Sequence, residues 1–511
     1  MRRVVGIILG VLAVVLALIS AGGPHSRAIA AGAGPVRPDV TAAVTHDGSA
    51  RVNVTLTNRA LPGAPRAEVM RQAHAAQASV LARLGAGDFD TIYQYDGISA
   101  LTGVVTPHGL SRLANDPDVR AVTLDQVGSG AALTPPATAG EAPEHLSHSV
   151  PMIRADLVHQ GGITGAGVTV AILDSGADTH HPDLADSIAG QECFLTGAGS
   201  HCPNGTTRQS GPGAAEDDLG HGSNVAGIVT SNGVVSSIGV APGADVLLYK
   251  ILNSSNQGQL SDWDAALSDI IANHPEVRVI NMSLVSFITF TGDCSSLDPT
   301  EAQAFQTLTA AGVAIFVSSG NNGAKSMITF PACLPGAISV GAVYDQSFGS
   351  STLFGCTDSP ATTDTPTCWS NSRPDLKLLA PGSFIISDGL NGGLSDYVGT
   401  SQASPHAAGT AALVLEHSPS LTRDQLVSRL TSSGVMRTDP ANGVSTPRID
   451  AYAAVFSPPS VGGFAEIAVI ARPSSADGFS ELAFTLAMLT VATLIVGVAM
   501  VAYRARRSGT W

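Results

Sequence analysis

Three short motifs of this chain carry the side chains that nucleophilic catalysis needs, in the order Asp, His, Ser. Asp174 ends an apolar run, His221 stands between two glycines, and Ser401 begins a long stretch with almost no charge. A carboxylate can orient an imidazole, an imidazole can take a proton near neutral pH, and a helix N-terminus stabilises developing negative charge. Each motif alone also fits a plain structural role, as a turn cap, a helix-terminal histidine or an N-cap serine. Together and in this order, they predict acyl transfer through a serine nucleophile.

The residues that must position these groups alternate between strand-like and helix-like patterns from about 150 to 455. Short apolar, β-branched runs are typical of parallel strands that are buried on both faces. The runs cover 168–173, 246–251, 277–282, 313–318 and 337–343, and the helical stretches cover 221–230, 261–273 and 300–311. This alternation predicts an α/β fold with a doubly wound, mostly parallel sheet, whose chemistry collects at the carboxyl ends of its strands.

Residues 51–125 show a different pattern, which predicts a separate small unit. In order along the chain it has a strand at 52–56, a helix at 67–84, two strands at 91–95 and 98–105, a helix at 107–114 and a strand at 119–124. This order predicts a ferredoxin-like α+β domain. Residues 126–150 are rich in polar and turn-forming residues, and we predict that they form a linker.

Both ends of the chain carry long apolar runs. Two arginines, an apolar run and small residues predict a signal peptide over 1–30, with an uncleaved anchor as the alternative. Residues 482–503 contain no charge and are followed by arginines, which predicts a transmembrane helix with a cytoplasmic tail at 504–511. A buried helix or a processed sorting signal is the alternative. With a stalk at 456–481, this organisation predicts a single-pass protein of the cell membrane with an extracellular or periplasmic catalytic domain.

The composition excludes two other classes of protein. The chain has 26 Lys and Arg against 41 Asp and Glu, a net charge of −15, whereas nucleic-acid binding needs basic surface. With 44% hydrophobic residues in 511, it is also too apolar to be a disordered protein. We therefore expect a large globular protein that does not bind nucleic acid.

Five segments resemble, in the same order, the signature blocks of subtilisin-like serine proteases. They are DSGADTHHPDL, GHGSNVAGI, INMSL, SSGNNG and GTSQASPHAAG. The resemblance covers about 150–455 and implies a subtilisin-like catalytic domain that acts as a serine endopeptidase on protein or peptide substrates. The ferredoxin-like unit resembles the inhibitory propeptide of this family, which implies that residues 31–149 form a propeptide and an intramolecular inhibitor.

The resemblance also implies a role for each matching residue. Ser401 corresponds to the nucleophile, His221 to the general base and Asp174 to the residue that orients the imidazole. Asn321 corresponds to the side chain of the oxyanion hole, and Asn322 is the neighbour that must be ruled out. Two backbone segments would bind an extended substrate through main-chain hydrogen bonds. These segments are Ser283, Leu284 and Val285 on one side, and Ser318, Ser319 and Gly320 on the other.

Four positions of this chain bear on how far the resemblance extends. Val285 stands where Gly is usual, so we expect a smaller or differently shaped residue to be preferred before the scissile bond. Asn224 stands where His is common, and Gln402 stands where Met is very often found. Asp183 matches a calcium ligand of some relatives, but the loop at 231–238 does not align well. A structural calcium ion therefore stays open, no metal ligand is assigned, and no cofactor is expected for the chemistry.

The six cysteines favour disulfides over a metal site. The chain has no C-x₂-C pair, which disfavours zinc, and an exported protein with six cysteines can form three disulfides. Two pairs bracket short loops, and a third pair follows the substrate-binding strand and the Asn321 loop, where a bridge would brace the cleft. The predicted pairs are Cys193 with Cys202, Cys294 with Cys333, and Cys356 with Cys368.

Taken together, these features predict a membrane-anchored serine endopeptidase made as a zymogen that cuts itself between about 126 and 150. Two alternatives stay open. One is a dedicated maturation protease of a secretion system, similar to the mycosins, and the other is a non-catalytic binding protein on a protease fold.

Overall fold

The computed structural model describes residues 34–61, 63–132 and 147–456. Its N-terminal part is a four-stranded antiparallel sheet with three helices. The elements are α1 (Pro38–Asp47), β1 (Ala50–Leu56), α2 (Arg66–Leu81), β2 (Phe89–Gln94), β3 (Ala100–Val105), α3 (Pro107–Asn115) and β4 (Val119–Leu124). The strands lie in the order β2-β3-β1-β4, and Val52, Val54 and Leu101 are fully buried in the core of this unit. From β1 onward, the order of strands and helices is the one expected from the sequence.

One strand lies where the sequence predicted only a linker. Residues Val127–Gly130 form β5, which leaves the N-terminal unit and enters a separate three-stranded sheet. The prediction of a linker over 126–150 is therefore wrong for these residues. Two short helices follow, α4 (Ser149–Met152) and α5 (Ala155–Gln160).

The larger part of the chain contains eighteen further strands and six further helices among the described residues. The strands are β6 (Thr169–Asp174), β7 (Ile188–Phe194), β8 (Arg208–Ser210), β9 (Asp245–Lys250), β10 (Gln257–Gln259), β11 (Val277–Met282), β12 (Leu284–Val285), β13 (Thr289–Phe290), β14 (Ala314–Ser318), β15 (Ile328–Thr329), β16 (Ala337–Val343), β17 (Ser351–Leu353), β18 (Cys356–Asp358), β19 (Leu378–Pro381), β20 (Ile385–Asp388), β21 (Leu394–Tyr397), β22 (Val435–Thr438) and β23 (Ser445–Arg448). The helices are α6 (His221–Thr230), α7 (Leu260–Asn273), α8 (Pro299–Ala310), α9 (Thr400–His417), α10 (Arg423–Ser433) and α11 (Ala451–Phe456).

Ten of these strands form one large, mostly parallel sheet. Their order is β22-β23-β19-β16-β14-β11-β6-β9-β7-β8, and the pairs are parallel except at the two edges, β22 and β8. Both faces are covered, because Val170 and Ile172 of β6 pack in one hydrophobic core while Ala171 and Leu173 pack in another. This is the doubly wound α/β arrangement expected from the sequence, and it brings the carboxyl ends of the central strands together at one edge.

Three disulfides connect the six cysteines, in the pairing expected from the sequence. They join Cys193 to Cys202, Cys294 to Cys333, and Cys356 to Cys368. The second bridge links the segments that follow β13 and β15, two strands that pair with each other. The first disulfide therefore ties a loop to the main sheet, the third ties a loop to the two-stranded sheet of β17 and β18, and the second connects two segments beside the predicted cleft.

The predicted single-pass location in the cell membrane is corrected by the structure. Within residues 34–61, 63–132 and 147–456, no helix is both long enough and apolar enough to cross a membrane. The apolar run at 482–503, on which the prediction rested, lies outside the described residues. The same holds for the predicted signal peptide over 1–30, the rest of the predicted stalk after residue 456, and the predicted tail at 504–511.

Candidate active site

Asp174 and His221 form a fully buried pair at the carboxyl edge of the main sheet. Asp174 is the last residue of β6, and His221 is the first residue of α6. His221 Nδ1 lies 2.6 Å from Asp174 Oδ1, and neither side chain is exposed. The backbone N–H of Ser175 donates to the same carboxylate oxygen at 2.7 Å. Because a carboxylate oxygen accepts, the Nδ1 atom carries the proton, and Nε2 is left free to accept one.

Ser401 lies in the first turn of α9 and is buried. Its Oγ donates to the Ser283 carbonyl at 3.0 Å, and its backbone N–H donates to the Ala131 carbonyl at 3.2 Å. His221 Nε2 has no hydrogen-bond partner among the residues that the structure describes. Catalytic hydrogen bonds are often unformed before the reacting geometry is reached. In this state, the hydroxyl must leave the Ser283 carbonyl before it can bond to the imidazole.

The side chain of Asn321 is held in one orientation. Its Oδ1 accepts both the backbone N–H and the hydroxyl of Thr400, each at 2.9 Å. Thr400 Oγ1 in turn accepts the backbone N–H of Gly320 at 3.1 Å. With Oδ1 engaged in this way, Nδ2 faces the Ala131 carbonyl and donates to it at 2.7 Å. Asn321 and the backbone of Ser401 therefore provide two N–H donors to one carbonyl oxygen.

A segment of the chain itself occupies the cleft next to these groups. Strand β5 lies between β10 and β12 and is antiparallel to both. The next residue, Ala131, donates its backbone N–H to the Ser283 carbonyl at 3.1 Å. The peptide bond between Ala131 and Ala132 is thus placed at Ser401, with its carbonyl oxygen between the two donors.

Of the two backbone segments that the sequence predicted to bind substrate, only the first pairs with β5. Leu284 pairs with Gly130 and Val285 with Ser129, so the segment Ser283, Leu284 and Val285 does form one wall of the cleft. The opposite wall is strand β10, Gln257–Gln259, which sequence reasoning missed.

The second predicted segment, Ser318 to Gly320, makes contacts elsewhere. Ser318 ends β14, Ser319 Oγ donates to the Asn371 carbonyl at 2.9 Å, and Gly320 donates to Thr400. The described hydrogen bonds of this segment support the Asn321 side of the site and do not pair with β5. Among the described residues, β10 and not this segment pairs with β5 opposite β12, and a role of Ser318, Ser319 and Gly320 in substrate binding stays a prediction.

The chain is similar to a known protein family and to individual members of it. A family model described as the subtilase family matches residues 165–446. Over 341 residues, 30% of positions are identical to subtilisin E of Bacillus subtilis (strain 168), which covers 66% of this chain and 76% of that protein. The chain belongs to the subtilase family.

Further relatives of this subtilase show a similar level of identity. It is 31% identical over 291 residues to the subtilisin of Bacillus pumilus, which covers 57% of this chain and 92% of that protein. It is 29% identical over 355 residues to M-protease of Shouchella clausii (strain KSM-K16), which covers 69% of this chain and 79% of that protein.

Two of the positions that depart from the subtilase pattern contact each other. Gln402 Nε2 donates to Asn224 Oδ1 at 3.2 Å, and both side chains are fully buried. Asn224 Nδ2 lies within hydrogen-bond distance of the carbonyls of Ile385 and Ser395, at 3.2 and 3.1 Å. The two departures thus form one polar link between α6, which begins with His221, and α9, which carries Ser401.

Asp183, the position at which calcium stayed open, is engaged by the chain itself. Its carboxylate accepts the backbone N–H groups of residues 234, 235 and 236, at 2.5, 2.9 and 2.7 Å. Burial raises the pKa of Asp183, but the hydrogen bonds that its carboxylate accepts, those from Ser236 and Val235 first among them, together outweigh burial and hold the pKa below its ordinary value. A carboxylate that already accepts three N–H groups has few lone pairs left for a cation.

Asp183 also belongs to a buried group, with His181 and Asp388, whose ligand atoms lie within 4.8 Å of one another. Both ring nitrogens of His181 are engaged: Nδ1 accepts the Asp183 N–H at 3.1 Å, and Nε2 lies 2.9 Å from the Gly393 carbonyl. Burial, with the charge of Asp183, raises the pKa of Asp388 to about 8, which keeps it protonated at neutral pH. Calcium takes about six to eight oxygen ligands, and these three residues do not fit such a shell.

Proposed function

We propose that this subtilase is a serine endopeptidase made as a self-processing precursor, and that it cuts its own chain between Ala131 and Ala132. One observation carries the proposal: the Ala131 carbonyl oxygen accepts from Asn321 Nδ2 and from the backbone N–H of Ser401. Two donors around the oxygen of a peptide bond that lies at a serine hydroxyl form an oxyanion hole.

The same groups support a complete acyl-transfer cycle. Ser401 Oγ attacks the carbonyl carbon of Ala131 while His221 Nε2 takes the hydroxyl proton, and Asp174 stabilises the imidazolium that forms. Negative charge develops on the carbonyl oxygen, where Asn321 and the Ser401 N–H stabilise it. The tetrahedral intermediate then expels the amine of Ala132, which takes the proton from His221. Water attacks the remaining ester with His221 again acting as base, and Ala131 leaves as a carboxylate.

The N-terminal unit is suited to act as an inhibitory propeptide. It folds as a βαββαβ unit of ferredoxin-like order, and β5 continues from it into the cleft. After cleavage, residues 127–131 can keep the pairing with β10 and β12 that they have in the uncut chain. Access of other proteins or peptides to Ser401 then requires this unit to leave.

The test is the fate of the full chain with and without its nucleophile. Wild-type protein should yield a fragment that begins at Ala132, identified by N-terminal sequencing. Ser401→Ala should accumulate uncut at this bond. If purified Ser401→Ala is cut at the same bond with no other protease present, the proposal of self-processing is wrong.

The reactivity of Ser401 in the processed protein is tested by labelling. A fluorophosphonate probe should label the processed wild-type protein at Ser401 and leave Ser401→Ala unlabelled. Failure of the processed protein to react would favour a binding protein on a protease fold. Within the part of the chain that the structure describes, no observation favours either alternative function.

A further inference from the structure

Two residues of β5, Gly128 and Gly130, face side chains of the catalytic region that lie outside the two pairing strands β10 and β12. Alternate residues of a strand point to the same side, and these two glycines are buried whereas Val127 is exposed and Ser129 is half-buried. Counted back from the bond between Ala131 and Ala132, they are the fourth and second residues before the scissile bond. Each lies against a side chain of the catalytic region at a distance that leaves no space for a Cβ atom.

The side chain against Gly128 is the indole of Trp263. A Cβ atom at Gly128 would lie 2.2 Å from Cη2 and 2.5 Å from Cζ2 of this ring, well under the 3.0 Å that real Cβ contacts respect. Trp263 lies in α7, is fully buried, and packs in one of the two hydrophobic cores of the main sheet. A ring held by packing in this way cannot yield as the end of a flexible side chain would.

The side chain against Gly130 is the carboxamide of Asn256. Its Oδ1 accepts the backbone N–H of Gly130 at 3.2 Å, and its Nδ2 donates to the Gly130 carbonyl at 3.3 Å. A Cβ atom at Gly130 would lie 2.5 Å from this Oδ1 and 3.0 Å from Cε1 of His221. The side chain of Asn253 accepts two backbone N–H groups of the same turn and holds it in place. Asn256 therefore bonds to the backbone of Gly130 from the place that a side chain would occupy.

We infer that Trp263 and Asn256 determine the specificity of this protease, and that they select glycine at the fourth and second residues before the scissile bond. The substrate class is then a glycine-rich extended segment of the form Gly-Xaa-Gly-Ala, where Xaa is variable because Ser129 is only half-buried. This inference rests on the proposed endopeptidase function. It adds a selection that neither the motifs nor the family membership supplies.

The first experiment uses peptides with the processed wild-type enzyme, its active concentration titrated with a fluorophosphonate. The parent peptide has the sequence of residues 127–133, VGSGAAL, between a fluorophore and a quencher. Forcing a Cβ into a filled site should lower kcat/KM by at least about tenfold for the peptides with alanine at the position of Gly128 or Gly130. Alanine at the position of Ser129 is the matched control and should leave kcat/KM nearly unchanged.

The second experiment changes the enzyme at the two positions. Trp263→Ala should restore cleavage of the peptide altered at Gly128 but not of the one altered at Gly130. Asn256→Gly should do the reverse, and glycine suits this position because Asn256 has a φ of 60°. If either residue had only a structural role, its variant would show a lower kcat/KM for every peptide alike and would restore cleavage of none.

The outcomes distinguish this inference from the function on which it rests. If an enzyme preparation that reacts with the probe also cuts, in its unlabelled form, the parent peptide and both alanine peptides equally well, the selection of glycine is wrong and the protease function stands. If the enzyme neither reacts with the probe nor cuts the parent peptide, the proposed function fails and the selection fails with it. Should Trp263→Ala not fold, the wild-type peptide series alone decides the question.

Discussion

The contribution of the Asn321 side chain to catalysis can be measured separately from its contribution to substrate binding. Its Oδ1 is engaged by Thr400, and its Nδ2 donates to the carbonyl of the bond at Ser401. Asn321→Ala should lower kcat by about 10²–10³-fold with a smaller change in KM, because this donor acts mainly on charge that develops in the transition state. Initial rates of peptide cleavage over a range of substrate concentrations give both constants.

Asn322 provides the matched control for this prediction. Its side-chain oxygen accepts from Asn371 Nδ2 at 3.1 Å, a contact separate from the carbonyl of Ala131. Asn322→Ala should therefore retain most of the kcat of the wild type. An equal loss of kcat in the two variants would show that Asn321 has no special position at the oxyanion.

The identity of residue 402, a glutamine here, should determine how strongly oxidation inactivates the active site. Gln402 follows the nucleophile directly, is fully buried and donates to Asn224. A methionine at this position can be oxidised to its sulfoxide, which adds a polar oxygen beside the reacting groups, whereas glutamine cannot. We expect Gln402→Met to lose more activity than the wild type after matched peroxide exposure, measured on a peptide substrate. Equal loss in both proteins would place the damage elsewhere, with Met282 as the first residue to examine.

For single residues, the sequence identified those that belong to motifs and missed those that do not. Asp174 and His221 come together as the order of the motifs suggested. Asn256 lies in a loop and Trp263 in the helix predicted over 261–273, but neither belongs to a motif, and both contact glycines more than a hundred residues away in the chain. The only available signal was the pair Gly128 and Gly130, whose meaning depends on which side chains face them.

Among the secondary-structure elements, β11 could be predicted from the sequence and β5 could not. Strand β11 has the bounds 277–282 expected from its apolar, β-branched run, because its pattern reflects burial on both faces. Strand β5, Val127–Gly130, has the composition of a turn. It is extended because β10 and β12 offer it unpaired backbone groups on both sides. Such tertiary pairing overrides local propensity and leaves no periodicity for a sequence to show.

The contact between the N-terminal unit and helices α7 and α8 buries carboxyl groups. Tyr93 donates to Asp262 Oδ1 at 2.8 Å, and Asn53 donates to Asp298 Oδ2 at 2.7 Å. Burial raises the pKa of Asp262 and of Asp298 from 3.8 to about 6. Both groups thus bind a proton more tightly in the docked arrangement than they would in water.

The raised pKa of these two carboxyl groups determines how docking of the N-terminal unit depends on pH. Docking is most favourable below the ordinary pKa of 3.8 and weakens as the pH rises to about 6, above which the cost of burying charge is complete. After cleavage, the N-terminal fragment should therefore dissociate faster at pH 7 than at pH 5. Capture of the catalytic part through an affinity tag, followed by quantification of the retained fragment over time, measures the rate.

Two further carboxyl groups at this contact act in the same direction. Burial raises the pKa of Asp264 and of Glu301 well above their ordinary values, and the charge of Asp298 adds to both shifts. Burial also raises the pKa of Asp125, although the charge of Arg51, paired with it at 2.5 Å, opposes that rise. The double variant Asp262→Asn, Asp298→Asn should show a flatter dependence of release on pH. Release that becomes faster as the pH falls from 7 to 5 would contradict the prediction.

At the scale of the whole molecule, the N-terminal unit holds the catalytic part at two places. One is the contact of its sheet with α7 and α8, where Asn53 and Tyr93 bond to Asp298 and Asp262. The other is β5, which fills the cleft between β10 and β12. Because the two places lie on one continuous chain, binding at the first raises the effective concentration of the second.

This arrangement predicts how the N-terminal unit inhibits when it is added as a separate chain. Residues 31–131 should inhibit the processed enzyme on the peptide VGSGAAL, since they supply both contacts. A shorter chain, 31–126, keeps the sheet contact but lacks β5 and Ala131, so its inhibition constant should rise by at least about tenfold, the effect of losing one of two linked contacts. Circular dichroism of both chains controls for folding, and a 31–131 chain with Gly130→Ala should fall between them. Equal inhibition by all three chains would mean that the cleft segment adds no affinity, and that the sheet contact alone covers the active site.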